Sequence, residues 1–322
     1  MTPFKHKPLW AMVQVLLRFT LRRQRPELRP YERTCGSCGD FGAGRGHVPP
    51  EGVHGIYPPE GNTAGVRDPM SLVQQYERQE RWRRWDDALD RVPLHAGEKI
   101  LDLGCGLGDV TARLQRLGAD VVGVDMNEEL LGAARRRHPG VRFESLDLNA
   151  LDASPLCPVD GMWGSFVAAY FPRLEATLER WGKGLAPHGW IALVEMDDLF
   201  GHTPFPTRWS RDLERFYDEA RTAGRYDFQS GRHLAPALRI AGFDVVHEGA
   251  VEDDELSFQG PATSDVLEGW QQRLERMAGL RNFLGPSFEE FRRDFIDALT
   301  SPRHRSSTRV VMVVARKAAN ER

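Results

Sequence analysis

Lysine is nearly absent, with five residues (Lys5, Lys7, Lys99, Lys183, Lys317) among 43 basic side chains in 322 positions. Arginine carries the rest, an imbalance that reads as the coding bias of a GC-rich genome and says little about function. Strong net charge is also missing, since 46 acids leave a formal charge of −3. The distribution is uneven. Residues 1–34 hold eight basic groups against Glu27 and Glu32, leaving 35 basic against 44 acidic groups in the remainder. An acidic body has no general attraction for nucleic acid, whose binding rests on neutralising phosphates, so no nucleic-acid partner is expected. Four cysteines (Cys35, Cys38, Cys105, Cys157) are too few for a disulfide scaffold, and they suit a reducing, cytoplasmic location. Long apolar runs are lacking too. The run from Leu9 to Leu17 has nine residues, short of the roughly 20 that span a bilayer, and stable membrane insertion is not expected. There is no internal repeat.

Order is expected to begin late in the chain. Fourteen of the 36 residues from Cys35 to Met70 are Gly or Pro, a composition that cannot bury enough apolar surface to offset its ordering entropy. Residues 1–69 are therefore expected to be a basic, then Gly/Pro-rich, disordered extension, or to lie outside the translated protein if synthesis starts at Met70. Two sharper readings were weighed there. One is a basic surface helix on a membrane. The other is zinc held by Cys35, Cys38, His47 and His54, against which stands a Gly-rich spacing with no residues to close a mini-core. No metal is expected.

From residue 70 to 322 the pattern is periodic. A charged helix is predicted over Ser71–Asp90, and short β-branched runs recur at Lys99–Leu103, Asp120–Val124, Val141–Glu144, Gly161–Phe166, Trp190–Val194, Phe243–Glu248 and Arg309–Ala315. Helical stretches separate them, including Asn127–Arg137, Leu174–Leu185, Trp209–Arg221, Gly231–Ala241 and a longer one from Ser264 to Leu299. Such alternation predicts an α/β, doubly wound, mostly parallel seven-stranded sheet with helices on both faces. Helical segments at 196–241 and 264–300 are expected to cover a substrate.

The chemistry concentrates in Lys99-Ile-Leu-Asp102-Leu-Gly104-Cys105-Gly106-Leu-Gly108-Asp109, a strand opening into a Gly-rich turn and a helix. Dinucleotide-binding turns space their glycines as G-x-G-x-x-G and seat a phosphate on the helix N-terminus. Here the third glycine comes one residue early, and Asp109 at the helix entry would repel a pyrophosphate. Asp102 is a second carboxylate, so a ligand bearing positive charge suits the turn. Asp125 closes the next strand 21 residues after Gly104, the place for a carboxylate that accepts from ribose hydroxyls.

DLGCGLG followed by VVGVD resembles the S-adenosylmethionine site of class I, Rossmann-like methyltransferases, over roughly residues 71–316. The later arrangement is similar to that of the bacterial small-molecule and ubiquinone-biosynthesis type. The resemblance implies an antiparallel seventh strand at Arg309–Ala315 and S-adenosyl-L-methionine as cofactor. It places Gly104, Cys105, Gly106 and Gly108 under the methionine part, Asp102 by its ammonium group and Asp125 at the ribose, with Met126 as a further cofactor contact. Asp147 and Leu148 would meet the adenine, and Phe166, after the fourth strand, would face the sulfonium. Cys105 reads as a small filler of the turn, with no base beside it to make a nucleophile.

Methyl transfer needs an aligned acceptor, and a base only if the acceptor must lose a proton. Aromatic residues are dense in the covering segments, so a partly apolar or aromatic small molecule is expected, with Tyr170, Phe200, Trp209 and Tyr226 as substrate contacts and His202 as the candidate base. Asp197 and Asp198 are either a pair of acids for a divalent ion or a cap. Two readings from other classes stay open. These are a polyamine-synthase-like enzyme, for which Val167, Ala168 and Ala169 supply no acids, and a non-catalytic module, for which the intact glycines and acids would be superfluous.

Overall fold

The computed structural model describes residues 71–318; the basic segment, the Gly/Pro-rich stretch and the Cys35, Cys38, His47, His54 cluster lie outside the described residues. The strands are β1 (Lys99–Leu103), β2 (Asp120–Asp125), β3 (Arg142–Ser145), β4 (Val159–Ser165), β5 (Leu185–Asp197), the two-residue β6 (His202–Thr203), β7 (Phe243–Val251), the two-residue β8 (Arg305–Ser306) and β9 (Arg309–Lys317). Seven of them form one sheet in the order β3-β2-β1-β4-β5-β9-β7. β9 runs antiparallel to both β5 and β7, and the β1–β2, β1–β4, β2–β3 and β4–β5 pairs are parallel. The expected doubly wound sheet with its antiparallel last strand is thus observed. β6 and β8, which pair with each other, were not foreseen, because two-residue strands carry no period.

The helices are α1 (Leu72–Glu80), α2 (Trp85–Leu89), α3 (Asp109–Arg116), α4 (Glu128–Arg137), α5 (Leu174–Lys183), α6 (Ser210–Thr222), α7 (Ser230–Ile240), α8 (Ser264–Arg276), α9 (Ala278–Leu284) and α10 (Phe288–Thr300). Capping sets several starts. Ser71 and Gln74 form a reciprocal capping box at α1, Asn127 caps α4, and Thr263 caps α8; each satisfies amide groups that a helix start leaves open. The single helix expected over Ser71–Asp90 is two helices. Arg84 leaves the helical region at φ −91°, ψ 61°, and Arg83 pairs as an isolated bridge with Asp253. The long stretch from Ser264 to Leu299 is three helices, interrupted at Met277 (ψ 64°) and at Gly285, whose φ of +54° is left-handed.

Two cores flank the sheet. One gathers Trp85, Trp163, Trp190 and Trp270 with the aromatic residues of α6 and α10. The other joins Leu101, Leu103 and Ile191 to Trp181 of α5 and Leu234 and Leu238 of α7. Strand order reverses between β1 and β4, and ligands of open α/β sheets bind in the crevice beyond the carboxyl ends at that point. Among the described residues, no helix is long and apolar enough to cross a membrane.

Candidate active site

The Gly-rich turn leaves β1 at that crevice and folds back on β2. Val124 O accepts from Gly104 N at 2.8 Å and from Cys105 N at 3.0 Å. Its glycines serve different ends. A Cβ on Gly108 (φ +77°) would lie 2.3 Å from Phe143 Cζ, so this glycine makes room for the Phe143 ring. At Gly106 (φ +52°) the nearest atoms would belong to the Tyr76 ring at 3.1 Å, so the backbone there faces only a side chain of α1. Gly104 lies against Val167, whose Cγ2 would be 2.8 Å from an added Cβ. The segment after β4 therefore sits directly beside the turn.

Asp125, at the end of β2, is held ready. Its Oδ2 accepts from Gly106 N at 3.0 Å and its Oδ1 from Asn127 N at 2.9 Å. Burial raises its pKa, and these backbone bonds pull it back down. Met126 beside it is 52% exposed, an apolar side chain open at the rim. A carboxylate able to take hydroxyl donors, an uncovered apolar side chain and a bare glycine backbone fit a nucleoside-bearing cofactor. Asp147 accepts from Asn149 N and Nδ2, both at 2.9 Å, and starts the 3₁₀ turn at Leu148. Leu148 is buried.

Asp102 differs from its expected place at the rim. It is 2% exposed and accepts from Thr111 Oγ1 at 2.5 Å. Burial pushes its carboxyl up to about 7, against the Thr111 bond that lowers it. Burial likewise pushes the Cys105 thiol far up, so it is no nucleophile at neutral pH.

Phe166 follows β4 with φ +54°, a left-handed conformation for a bulky residue and a mark of over-determined, often functional, backbone. Its ring carries the Arg83 guanidinium at 4.2 Å and the Trp85 ring at 6.2 Å. The residues after it are tied to β5 by Glu195, whose Oε1 accepts from Ala169 N and Oε2 from Ser230 Oγ, both at 3.0 Å. Glu195 is fully buried, and burial raises its carboxyl to about 7. Tyr170 and Tyr226 meet edge to face at 4.9 Å, and a cavity of about 160 Å³ opens between Ala169, Tyr226 and the hydrogen-bonded pair His233 and Asp227.

The other expected contacts lie elsewhere. Phe200 is 3% exposed among Trp270, Phe291 and Phe295, and Trp209 packs on Phe291 with its Nε1 donating to Asp294. Both are buried in the core that the helical segments build. His202 is 2% exposed, enclosed by Phe258, Trp270 and Phe295, with Nδ1 2.9 Å from His304 Nε2. Burial, then His304, lowers its pKa to about 3. That enclosure and the lowered pKa argue against His202 as the base. Asp197 is ion-paired to Arg232 and Arg309, and Asp198 accepts from Tyr217 OH at 3.0 Å, so the pair is used inside the fold. Among the described residues no cluster of His, Cys, Asp and Glu is placed to hold a metal. The sequence reading missed Arg83 and Tyr76. Both belong to the charged helix predicted over Ser71–Asp90, but their neighbours come from far along the chain.

A family model described as a methyltransferase domain matches residues 75–248, and the chain belongs to the class I, S-adenosylmethionine-dependent methyltransferases. Its cofactor is S-adenosyl-L-methionine and it is an enzyme of methyl transfer to a small molecule. Trans-aconitate 2-methyltransferase of Methylobacterium nodulans is 38% identical over 231 residues, covering 67% of this chain and 81% of that one. The enzyme of the same name from Methylobacterium radiotolerans is 31% identical over 272 residues, covering 77% and 98%. Among solved structures, geranyl diphosphate C-methyltransferase of Streptomyces coelicolor A3(2) is similar at 16% identity and a TM-score of 0.45, covering 80% of this chain and 90% of that one.

Proposed function

We propose that the enzyme methylates a small carboxylic acid of the trans-aconitate kind on a carboxylate oxygen. The observation that carries this reading is the relationship to two relatives named for trans-aconitate, one matched over 98% of its length. The site supports it. The side chains found on Phe166 are Arg83 and Trp85, neither of which accepts a proton, so an acceptor already deprotonated at neutral pH suits it. The partly apolar or aromatic acceptor expected from the aromatic residues of the covering segments loses part of its support, because Phe200 and Trp209 are spent in the core.

In this reading Gly104, Cys105, Gly106 and Gly108 seat the methionine part, Asp125 holds the ribose, and Met126, Asp147 and Leu148 border the adenine. Asp102 acts through the turn it anchors by way of Thr111. When bound, S-adenosylmethionine would supply a sulfonium methyl that a carboxylate oxygen can take, with S-adenosylhomocysteine as the neutral leaving group. The protein has only to align the two and exclude water, which α1 does over the glycine turn through Tyr76. Incubation with S-adenosylmethionine and a panel of small carboxylic acids tests the reading. Trans-aconitate should give a product heavier by one CH₂ with equimolar S-adenosylhomocysteine. Turnover of a neutral phenol, and of no carboxylic acid, would replace it.

A further inference from the structure

We propose that Arg83 is the anchor for a carboxylate of the acceptor, an inference that rests on the carboxylic-acid reading above. The break between α1 and α2 puts Arg83 where a helix would not. Its guanidinium carbon lies over the Phe166 ring, 4.2 Å from the centroid, on the residue that follows β4 and beside the turn that Val167 touches. The cation is thus held over the ring, with its hydrogen-bonding edge left for a partner.

That edge is underused. The Arg83 side chain is 12% exposed, yet its buried Nε has no hydrogen-bond partner. The nearest acid atom, Asp253 Oδ2, is 3.7 Å away, an ion pair too long for a hydrogen bond. Nη2 donates to Gln79 Oε1 at 3.2 Å. Asp253 is itself fixed, with Oδ1 accepting from Glu255 N at 2.9 Å and Leu256 N at 2.8 Å, while its 3%-exposed side chain leaves Oδ2 unpartnered. The guanidinium and the carboxylate are held just out of bonding range, and a ligand carboxylate beside the guanidinium would give Arg83 Nε the partner it lacks. Burial favours the neutral form of Asp253, raising its carboxyl to about 6 although Arg83 lowers it. Arginine suits the task because its fork matches a carboxylate in two bonds.

The test uses the full chain. Arg83→Gln removes the fork but leaves Asp253 as a buried unpaired acid, so Arg83→Gln/Asp253→Asn, which removes both charges, and Arg83→Lys accompany it. Thermal melting identifies the folded variants. Titration of trans-aconitate into protein saturated with S-adenosylhomocysteine should show acceptor affinity at least about tenfold weaker in the double variant. Arg83→Lys should recover part of the loss, and S-adenosylhomocysteine affinity should stay within about twofold. The loss should fall on KM, with kcat nearly kept. Acceptor affinity and KM unchanged in the folded double variant, with the wild type active on trans-aconitate, would overturn the Arg83 assignment alone. A wild type that binds and methylates no carboxylic acid would overturn the functional reading and the anchor with it.

Discussion

Two glycines of one motif should fail in different ways when each is changed to alanine. At Gly108, φ is +77° and the new Cβ would sit 2.3 Å from Phe143 Cζ and 2.5 Å from its Cε1. A left-handed alanine costs about 1–2 kcal/mol, and overpacking a closed core adds about 1–3 kcal/mol. Gly108→Ala should thus lose about 2–5 kcal/mol, which for a domain of this size lowers Tm by roughly 4–20 °C. At Gly106, φ is +52° and the Cβ meets only the Tyr76 ring at 3.1 Å. That ring belongs to α1 and can tilt by a few tenths of an ångström. Gly106→Ala should cost only the backbone strain of about 1–2 kcal/mol, or roughly 2–8 °C. A cofactor seated on this turn has to displace the Tyr76 ring, and the methyl narrows that same space, so calorimetric affinity for S-adenosylmethionine should fall at least about tenfold. Melting curves and titrations of both variants decide the matter. Wild-type affinity in Gly106→Ala would refute the claim that the turn lies under the ligand, and equal stability losses would refute the packing argument.

Glu195 gives a prediction with a definite sign. Its carboxyl is raised from 4.5 to about 7 by burial, so the folded protein holds a proton that the unfolded chain has released, and stability falls as pH rises between those values. The slope amounts to about 3 kcal/mol. Glu195→Gln should remove it, so urea denaturation at pH 5 and pH 8 should show a smaller drop than in wild type; identical drops would contradict the buried, proton-holding carboxyl. His202→Ala should lose about 2–4 kcal/mol by emptying its aromatic cage, while the pH profile of turnover stays that of wild type. A lost ionisation in that profile would return His202 to catalysis. Met126→Ala should leave melting nearly unchanged, because Met126 is 52% exposed, yet weaken the cofactor about fivefold through roughly 1 kcal/mol of lost apolar burial. Unchanged affinity would remove Met126 from the adenine site.

The glycine turn and Asp125 could be read from the sequence because their information is local: strand, glycine spacing and acid lie within 27 residues, from Lys99 to Asp125. The sheet was legible for the same reason, each strand being a β-branched run between helical ones. His202, Phe200 and Trp209 were misplaced because a polar-looking loop becomes core only when β6 pairs with β8 and α10 packs over it. Asp102 likewise looked like a rim acid until Thr111, on the next helix, covered it. Arg83 was hidden in an apparently regular charged helix. What breaks that helix is a bridge to Asp253, a contact with no trace in the local pattern.

The central claim is that Asp125 and the glycine turn hold S-adenosylmethionine at the end of β2. Isothermal titration of the cofactor into wild-type protein and Asp125→Asn, with melting curves to confirm that both are folded, tests it most directly. The account predicts one site per chain, and affinity at least about tenfold weaker in Asp125→Asn, which can no longer accept with both oxygens. Equal affinity in the two folded proteins, or no binding by the wild type, would contradict it.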